Sequence, residues 1–232
     1  MTGVVDPSLV RNIAARLNVA VKRRYGNAAS VENIEVATFG ASNRTVLFDL
    51  IDGQTRKRLV LRQETLKSEV SPFISTDFQY RILQVVHRHG LPVPAPEFEL
   101  TPEDQLDNGF VVGFVGGETL PKRLLVDSRF ESARTRFAAQ SGEILARLHN
   151  IEPSEVGFLE TTADSRDPLS AQIMRYDSYG EYHPGLDIGI RWLERHRPPA
   201  TPRRFLHGEF RNGNLMLGPA GIVAVLDWEC AH

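Results

Sequence analysis

The sequence predicts an α+β fold with two unlike lobes, and three observations support this prediction. Residues 1–115 consist mostly of strand patterns with two helices. Residues 116–232 have mostly helical patterns. Gly116 and Gly117 lie where the pattern changes. Because strands and helices separate along the chain, we expect a sheet-containing lobe over 1–115 and a helical lobe over 116–232, joined by a hinge at the glycine pair.

The first lobe is predicted to open with a helix that starts at Asp6 and Pro7. Asp is a favoured N-cap residue, and Pro suits the first helical position because an N–H there has no partner within the helix. Apolar side chains recur every four residues as far as Val21, and Gly26 can end the helix. The basic run at 22–24 is expected to be a solvated helix end that complements the helix dipole.

Strand patterns dominate the rest of the first lobe. The Asp52-Gly53 pair is a strong signal for a hairpin turn between the second and third strands. A helix is predicted over 77–89. The predicted strands cover 31–39, 45–51, 57–63, 98–100 and 110–115.

The second lobe is predicted to hold three helices, over 129–150, 169–179 and 186–195. The stretch 152–168 between the first two resembles a loop. Two prolines at 198–199 then break the helical pattern.

Composition excludes several classes of protein. The formal net charge is −2, so no basic footprint indicates nucleic-acid binding. One cysteine excludes an internal disulfide and a thiolate-cluster metal site. The first residues lack the pattern of a signal peptide, and no apolar run reaches the roughly 18 to 20 residues of a membrane span. We therefore expect a cytoplasmic protein with no membrane partner.

The most informative residues lie near the C-terminus. An acid, Glu209, lies two residues after His207. Asn214 follows the acid by five residues, and Asp227 follows the asparagine by thirteen. Kinases place a catalytic base and two metal ligands in this order. The alternative is that these residues form a polar surface turn and that Asp227 merely ends a strand. The buried-type strand at 222–226 directly before Asp227 favours the first interpretation.

These residue types suit phosphoryl transfer, which needs positioning and charge stabilisation more than covalent help from the protein. Glu209 can orient an acceptor hydroxyl and take its proton. Asn214 and Asp227 offer the hard oxygen ligands that Mg²⁺ prefers. We group His207 with the catalytic residues but expect it to orient the loop through hydrogen bonds rather than take part in the chemistry.

The His-Gly-acid-x-x-x-x-Asn run at 207–214 and the Leu-Asp-Trp-Glu run at 226–229 resemble the aminoglycoside phosphotransferase family. Within it, they are most similar to a subgroup that includes the kinase-like domains fused to some acyl-CoA dehydrogenases. The resemblance implies a protein-kinase-like two-lobed fold, with an antiparallel sheet in the first lobe and a mostly helical second lobe. It also implies ATP and Mg²⁺ as cofactors, Glu209 as the catalytic base, and Asn214 and Asp227 as magnesium ligands.

The resemblance extends upstream to a nucleotide loop at 39–45. In that loop Gly40, Ser42 and Asn43 would cover the phosphates through backbone amides, because such turns present N–H groups to anions. Taken alone, this stretch is equally well interpreted as a plain hairpin loop, because it lacks an intact glycine-rich phosphate motif.

Further positions complete the nucleotide site that the resemblance implies. Arg62 lies where kinases usually have a phosphate-binding Lys, and Gln79 lies at the helix position expected to pair with that cation. The segment on which adenine would rest comprises Gly113, Phe114 and Val115.

The chain departs from the family pattern in ways that bear on activity. Glu209 is one methylene longer than the usual Asp, which is expected to slow the chemistry rather than abolish it. Gln79 replaces a Glu and offers no ion pair, so Glu64, Glu69 or Asp77 could pair with the cation instead. Family members carry further helices beyond the Asp-Trp-Glu run, so the second lobe is expected to be truncated. Apolar surface left uncovered would favour a homodimer or poor solubility.

We therefore expect an ATP- and Mg²⁺-dependent kinase that acts on a hydroxyl of a small molecule. The acceptor could be an aminoglycoside, a hydroxyacyl-CoA or another metabolite, and a cationic aminoglycoside would need an acidic pocket. The alternative is a nucleotide-binding pseudokinase or a truncated, non-catalytic interaction module. No H-E-x-x-H or G-x-S-x-G motif supports a metal or serine hydrolase.

Overall fold

The computed structural model describes residues 6–37, 43–65, 73–162, 166–199 and 201–232. The described strands are β1 (Ser30–Val36), β2 (Asn43–Asp52), β3 (Thr55–Glu64), β4 (Pro96–Glu99), β5 (Gly109–Gly113), β6 (Leu215–Gly218) and β7 (Gly221–Val225). The described α-helices are α1 (Pro7–Tyr25), α2 (Thr76–Arg88), α3 (Pro121–Val126), α4 (Glu131–His149), α5 (Pro168–Ser178) and α6 (Pro184–Arg195).

Helix α1 begins and ends where the sequence predicts. The side chain of Asp6 accepts a hydrogen bond from the backbone N–H of Ser8 at 2.8 Å. Gly26 follows the helix with a φ of 102°, which a residue with a Cβ rarely adopts. The buried side chains of Ile13 and Leu17 pack against the sheet, and each full burial of this kind contributes about 1.5–3 kcal/mol.

An antiparallel sheet of strand order β1-β2-β3-β5-β4 forms the centre of the first lobe, as far as the chain is described. The predicted hairpin is present, with Asp52 paired to Thr55 across the turn. Side chains alternate along a strand. Leu61 of β3 therefore packs in the core with α1, whereas Arg62 faces the opposite side of the sheet.

The opposite face of the sheet shares a core with the remainder of the chain. Phe110 and Val112 of β5 belong to one buried cluster with side chains of α2 and α4, and this cluster includes Leu148 and Trp228. Apolar packing thus continues across the position where the two lobes were predicted to meet. The division into 1–115 and 116–232 remains a prediction.

The second lobe holds the three predicted helices, as α4, α5 and α6, together with elements that were not predicted. The expectation of a loop over 152–168 is wrong in part, because Pro153–Thr161 forms a 3₁₀ helix. Its two buried side chains, Val156 and Leu159, are only three residues apart, too short a repeat to give a periodic signal. Helix α3 is likewise too short to show a helical period in the sequence.

The basic run at 22–24 does more than complement a helix dipole. Arg24 and Arg23 each place a guanidinium nitrogen 2.7 Å from a carboxylate oxygen of Asp104, whose side chain is fully buried. Burial raises the pKa of Asp104, but hydrogen bonds from Arg24 and from the Thr101 N–H outweigh it and lower the pKa to about 2. Asp104 lies 80 residues from Arg24, so no local pattern reveals the pair.

Helix α6 leaves its apolar side chains exposed. Leu186, Ile188, Trp192 and Leu193 are all exposed, and no residue of the helix is buried. This agrees with the expectation of uncovered apolar surface, while the homodimer remains a prediction. No helix in the described part of the chain, α6 included, is long and apolar enough to cross a membrane.

Candidate active site

A cavity of about 550 Å³ lies between the sheet of the first lobe and the β6–β7 hairpin. Both walls carry predicted site residues, so the fold brings together positions that are far apart in the sequence. The predicted residues that line the cavity are Arg62, Gln79, Gly113, Phe114, Val115, Asn214 and Asp227.

His207 orients the loop that carries the acid. Its ring is buried, and burial lowers its pKa, which favours the neutral form. Nδ1 accepts a hydrogen bond from the backbone N–H of Glu209 at 3.2 Å, so the proton of the neutral ring belongs on Nε2. Nε2 in turn donates to the carbonyl of Leu226 at 2.9 Å. Both ring nitrogens are occupied, and the geometry agrees with a positioning role.

The carboxylate of Glu209 is held at both oxygens. Oε1 accepts a hydrogen bond from Arg211 Nε at 2.9 Å, and Oε2 accepts one from Asn214 Nδ2 at 3.1 Å. The hydrogen bond from Arg211 is the main reason why the pKa of Glu209 lies below its ordinary value. Glu209 is therefore ionised at neutral pH.

Asn214 and Asp227 are tied together through the backbone. The N–H of Leu226 donates to the carbonyl of Asn214 at 2.8 Å, which holds the residue before Asp227 against the loop. The side chain of Asn214 uses Nδ2 for its hydrogen bonds to Glu209, and no hydrogen bond among the described residues uses Oδ1. That oxygen and the Asp227 carboxylate are the two hard donors on this wall of the cavity.

Asn214 and Asp227 suit magnesium, which needs few protein ligands, better than they suit a metal that the protein alone would have to hold. Within the described ranges, no group of three or more His, Cys, Asp or Glu could hold a metal ion. Magnesium usually keeps several waters and is bound through one or two carboxylates together with substrate phosphates. Asn214 and Asp227 suit a cation whose remaining ligands come from a nucleotide and water.

Gly208 allows the loop to lie against the end of the chain. Its φ is 79°, and a Cβ at this position would collide with the carbonyl oxygen of Cys230. Glycine is the residue that meets both conditions. The close approach places the backbone of Glu209 next to the segment that follows Asp227.

Arg62 reaches across the cavity. Its Nη2 lies 3.2 Å from Oδ1 of Asp227, and its Nη1 donates to the hydroxyl of Thr45 at 3.0 Å. The predicted phosphate-binding cation and a predicted metal ligand are therefore paired with each other. Both side chains are less than a third exposed, so water screens this pair less than a surface pair.

The predicted adenine-binding segment lies at the end of β5, an inner strand of the sheet. The N–H groups of Gly113 and Phe114 donate to the carbonyls of Ala95 and Arg58, at 2.8 and 3.0 Å. In the described part of the chain, no hydrogen bond uses the backbone N–H or carbonyl of Val115. Val115 lines the cavity, so its backbone groups are available to a ligand.

Two predicted contacts are not made as expected. Gln79 lines the cavity, but its amide donates to the carbonyl of Ile74 at 3.0 Å, and Arg62 pairs with Asp227 instead. The side chain of Asn43 is buried and donates to Glu229 at 3.2 Å, and Asn43 does not line the cavity. Gly40 and Ser42 lie outside the described residues.

Sequence reasoning missed three residues of this region: Thr45, Arg211 and Glu229. Arg211 lies only two residues from Glu209, and Glu229 belongs to the Leu-Asp-Trp-Glu run, so proximity to the motifs was an available signal. Thr45 is the last residue of the stretch 39–45 and so also lies within a motif, but its contact with Arg62 depends on pairing across two strands.

Comparison with known proteins now identifies the family. The model of the phosphotransferase enzyme family, APH, matches residues 33–232. The chain belongs to this family. The match includes both cavity walls, from Arg62 of the sheet to Asp227 after β7.

The curated relatives of this APH-family chain are much longer proteins, and the match covers only part of each. The mouse acyl-CoA dehydrogenase family member 10 is 26% identical over 205 residues, which cover 82% of this chain and 18% of that protein. The Arabidopsis thaliana probable acyl-CoA dehydrogenase IBR3 is 23% identical over 210 residues, covering 82% of this chain and 25% of that protein. The chain thus spans a quarter or less of the length of these relatives, and the predicted subgroup is confirmed.

Solved structures show the fold. The streptomycin–ATP complex of APH(2")-IIa matches with a TM-score of 0.61 at 14% identity, covering 100% of this chain and 74% of that one. The Plasmodium vivax ethanolamine kinase matches with a TM-score of 0.60 at 11% identity, covering 100% and 66%. Spectinomycin phosphotransferase, APH(9)-Ia, in complex with ADP and spectinomycin matches with a TM-score of 0.57 at 12% identity, covering 94% of this chain and 69% of that one. The predicted kinase-like α+β fold is confirmed.

Proposed function

We propose that this member of the phosphotransferase family is an ATP- and Mg²⁺-dependent kinase that phosphorylates a hydroxyl of a small molecule. The observation that carries the proposal is that Arg62, Asn214 and Asp227 line one cavity, with Glu209 hydrogen-bonded to Asn214 beside it. A cation, two hard oxygen donors and a carboxylate are the groups that phosphoryl transfer needs. Solved structures of similar fold contain ATP or ADP, which supports the choice of nucleotide.

The cavity suits a nucleotide in size and lining. Its volume of about 550 Å³ falls within the roughly 300–1,000 Å³ of small-molecule sites. Apolar side chains on both walls, including Val60 and Met216, would contact the two faces of the base. The backbone groups of Val115 would recognise its polar edge. Arg62 would bind phosphate oxygens, because a guanidinium fork matches their geometry.

Oδ1 of Asn214 and the carboxylate of Asp227 would hold magnesium. When bound, the cation neutralises charge on the phosphate oxygens. The chain contributes the rigidity of these two donors: the amide of Asn214 is fixed by Glu209, and the backbone before Asp227 is fixed by Asn214.

Glu209 would receive the acceptor hydroxyl. As an ionised carboxylate it accepts a hydrogen bond from that hydroxyl and directs the oxygen towards the phosphoryl group. The transition state of phosphoryl transfer is loose in most analyses, so orientation matters more than early removal of the proton. The lowered pKa of Glu209 is compatible with this role.

The experiment that tests the proposal measures ADP formation with a panel of hydroxyl-bearing acceptors. Asp227→Asn should lower turnover at least about 100-fold, because the carboxylate that would hold the cation is lost. Glu209→Gln should lower kcat by about 100- to 10,000-fold. Asp52→Asn is the matched control, because it makes the same change in an exposed turn where Asn-Gly is equally suitable. Equal turnover by wild type and Asp227→Asn would refute the kinase.

A second candidate is a nucleotide-binding module without catalysis. The observation that favours it is that both oxygens of Glu209 are already engaged, by Arg211 and Asn214. Thermal shift and turnover together separate the two candidates. Both should gain stability with Mg-ATP, because a ligand that binds only the folded state raises the melting temperature. A melting shift without ADP formation across the acceptor panel would support the module.

A further inference from the structure

Arg211 lies beside the candidate base with most of its hydrogen-bond donors unused. Its Nε donates to Oε1 of Glu209, and no other hydrogen bond or ion pair of this guanidinium occurs among the described residues. The side chain is 58% exposed. A guanidinium carries five N–H donors in a planar fork, so the terminal nitrogens of Arg211 can receive a carboxylate or a phosphate.

Arg62, on the sheet wall, differs in this respect. It uses Nη1 for Thr45 and Nη2 for Asp227, so both of its terminal nitrogens have partners. Arg211 therefore offers a cation whose terminal nitrogens are free for an incoming molecule.

The position of Arg211 indicates which molecule that is. The cavity is lined by Gly213 and Asn214 but by neither Glu209 nor Arg211. The guanidinium packs against Gly213 so closely that a Cβ there would collide with Nη1. Gly213 thus lies between the guanidinium and the cavity. The guanidinium is held against Oε1 of Glu209, so an acceptor that reaches the Glu209 carboxylate is also within reach of the free donors.

We propose that Arg211 binds an anionic group of the acceptor, which assigns the acceptor to hydroxyl compounds that also carry a carboxylate or phosphate. This assignment rests on the proposed kinase function and narrows its substrate class. A bidentate contact to the guanidinium would fix the acceptor relative to Glu209. A polycationic aminoglycoside would instead be repelled by the same group, and the charge of Glu209 is already matched by Arg211.

The test measures how fast phenylglyoxal, which attacks exposed arginines, modifies Arg211 in the full chain. Peptide mass spectrometry follows Arg211, with the exposed Arg191 of α6 as the reference in the same sample. The probes are lactate, its uncharged amide analogue lactamide, glycerol phosphate, kanamycin and Mg-ATP. Lactate or glycerol phosphate should slow modification of Arg211 several-fold relative to Arg191, whereas lactamide and kanamycin should not.

Three results would overturn the inference. Protection by Mg-ATP alone would assign the free donors to the nucleotide. Equal protection by lactate and lactamide would show that Arg211 does not recognise the charge of the bound compound. No protection by either anion would show that Arg211 does not bind them.

Substitutions provide an independent measurement. Arg211→Gln should weaken calorimetric binding of the protecting anion on the order of 10- to 100-fold, as expected for a charged hydrogen bond. Arg191→Gln, the same change on α6, should leave that affinity unchanged. The Mg-ATP melting shift separates the two proposals. Its absence defeats the kinase whatever anions do, whereas its presence without anion protection defeats only the role of Arg211.

Discussion

At the scale of single residues, backbone conformation shapes the candidate active site as much as side-chain chemistry does. Gly208 and Asp227 both have left-handed backbone angles, with φ of 79° and 65°. For a residue with a Cβ this conformation costs about 1–2 kcal/mol, although Asp tolerates it better than most. The hydrogen bond from Leu226 to Asn214 and the ion pair with Arg62 help to hold Asp227 in place.

Replacement of Gly208 by Ala should destabilise the fold more than the same change at Gly180. Gly180→Ala is the matched control, since Gly180 also has a left-handed φ, of 65°, but a Cβ there meets nothing within 4 Å. Gly180→Ala should cost about 1 kcal/mol from strain alone. Gly208→Ala adds a collision with the Cys230 carbonyl and should cost clearly more. Urea unfolding measures both, and equal losses would contradict the close approach.

The sequence predicted the chemistry of single residues better than their contacts. His207, Glu209, Asn214 and Asp227 were found because they lie within 21 residues of one another in a known order. The pairing of Arg62 with Asp227 joins positions 165 residues apart, and only folding brings them together. The expected partner of Arg62 was the side chain at the Gln79 position or a nearby acid of the first lobe, whereas the partner in the structure is Asp227.

At the scale of elements, long periodic segments were predictable and short ones were not. Helices α1, α2 and α4 present apolar side chains at helical spacing, and the β2–β3 hairpin has a turn signal. The 3₁₀ turns have neither. One of them, Pro102–Asp104, anchors α1 to the sheet, because Asp104 forms ion pairs with both Arg23 and Arg24.

This anchor predicts an acid-sensitive part of the stability. The pKa of Asp104 is lowered from 3.8 to about 2, so folding favours its ionised form. Its contribution, about 2 kcal/mol, is complete above the unfolded pKa and is lost as pH falls towards about 2. Asp104→Asn should therefore lower the free energy of unfolding at about pH 6 and lower it much less at about pH 2.

Urea midpoints at the two pH values measure this difference, with Asp52→Asn as the control for an exposed aspartate. A loss for Asp104→Asn that does not change with pH would mean that the buried carboxylate is not stabilised by its charge.

At the scale of the whole molecule, the two tryptophans lie in different environments, one in the core and one on the surface. Trp228 is 3% exposed in the core beneath the cavity, whereas Trp192 is 57% exposed on α6. Apolar surface of this kind favours association. The predicted homodimer would bury α6, and the fluorescence of Trp192 provides a direct readout of that burial.

Iodide should quench Trp192 strongly in dilute protein and less as the concentration rises. Trp192→Phe should remove the quenchable component and leave the emission of Trp228. Because α6 buries no side chain, this substitution should not affect folding. Sedimentation velocity gives the mass in parallel. Quenching that stays constant across concentrations, together with a monomer mass, would contradict self-association.

The ion pair between Arg62 and Asp227 has a mechanical consequence. One partner extends from the sheet and the other from the segment after β7, so the pair joins the two walls of the cavity. A magnesium nucleotide would compete with this ion pair, because Arg62 would bind its phosphates and Asp227 would bind its metal. Nucleotide binding and rupture of the ion pair would then be coupled, and the bound nucleotide would replace the ion pair as the link between the two walls.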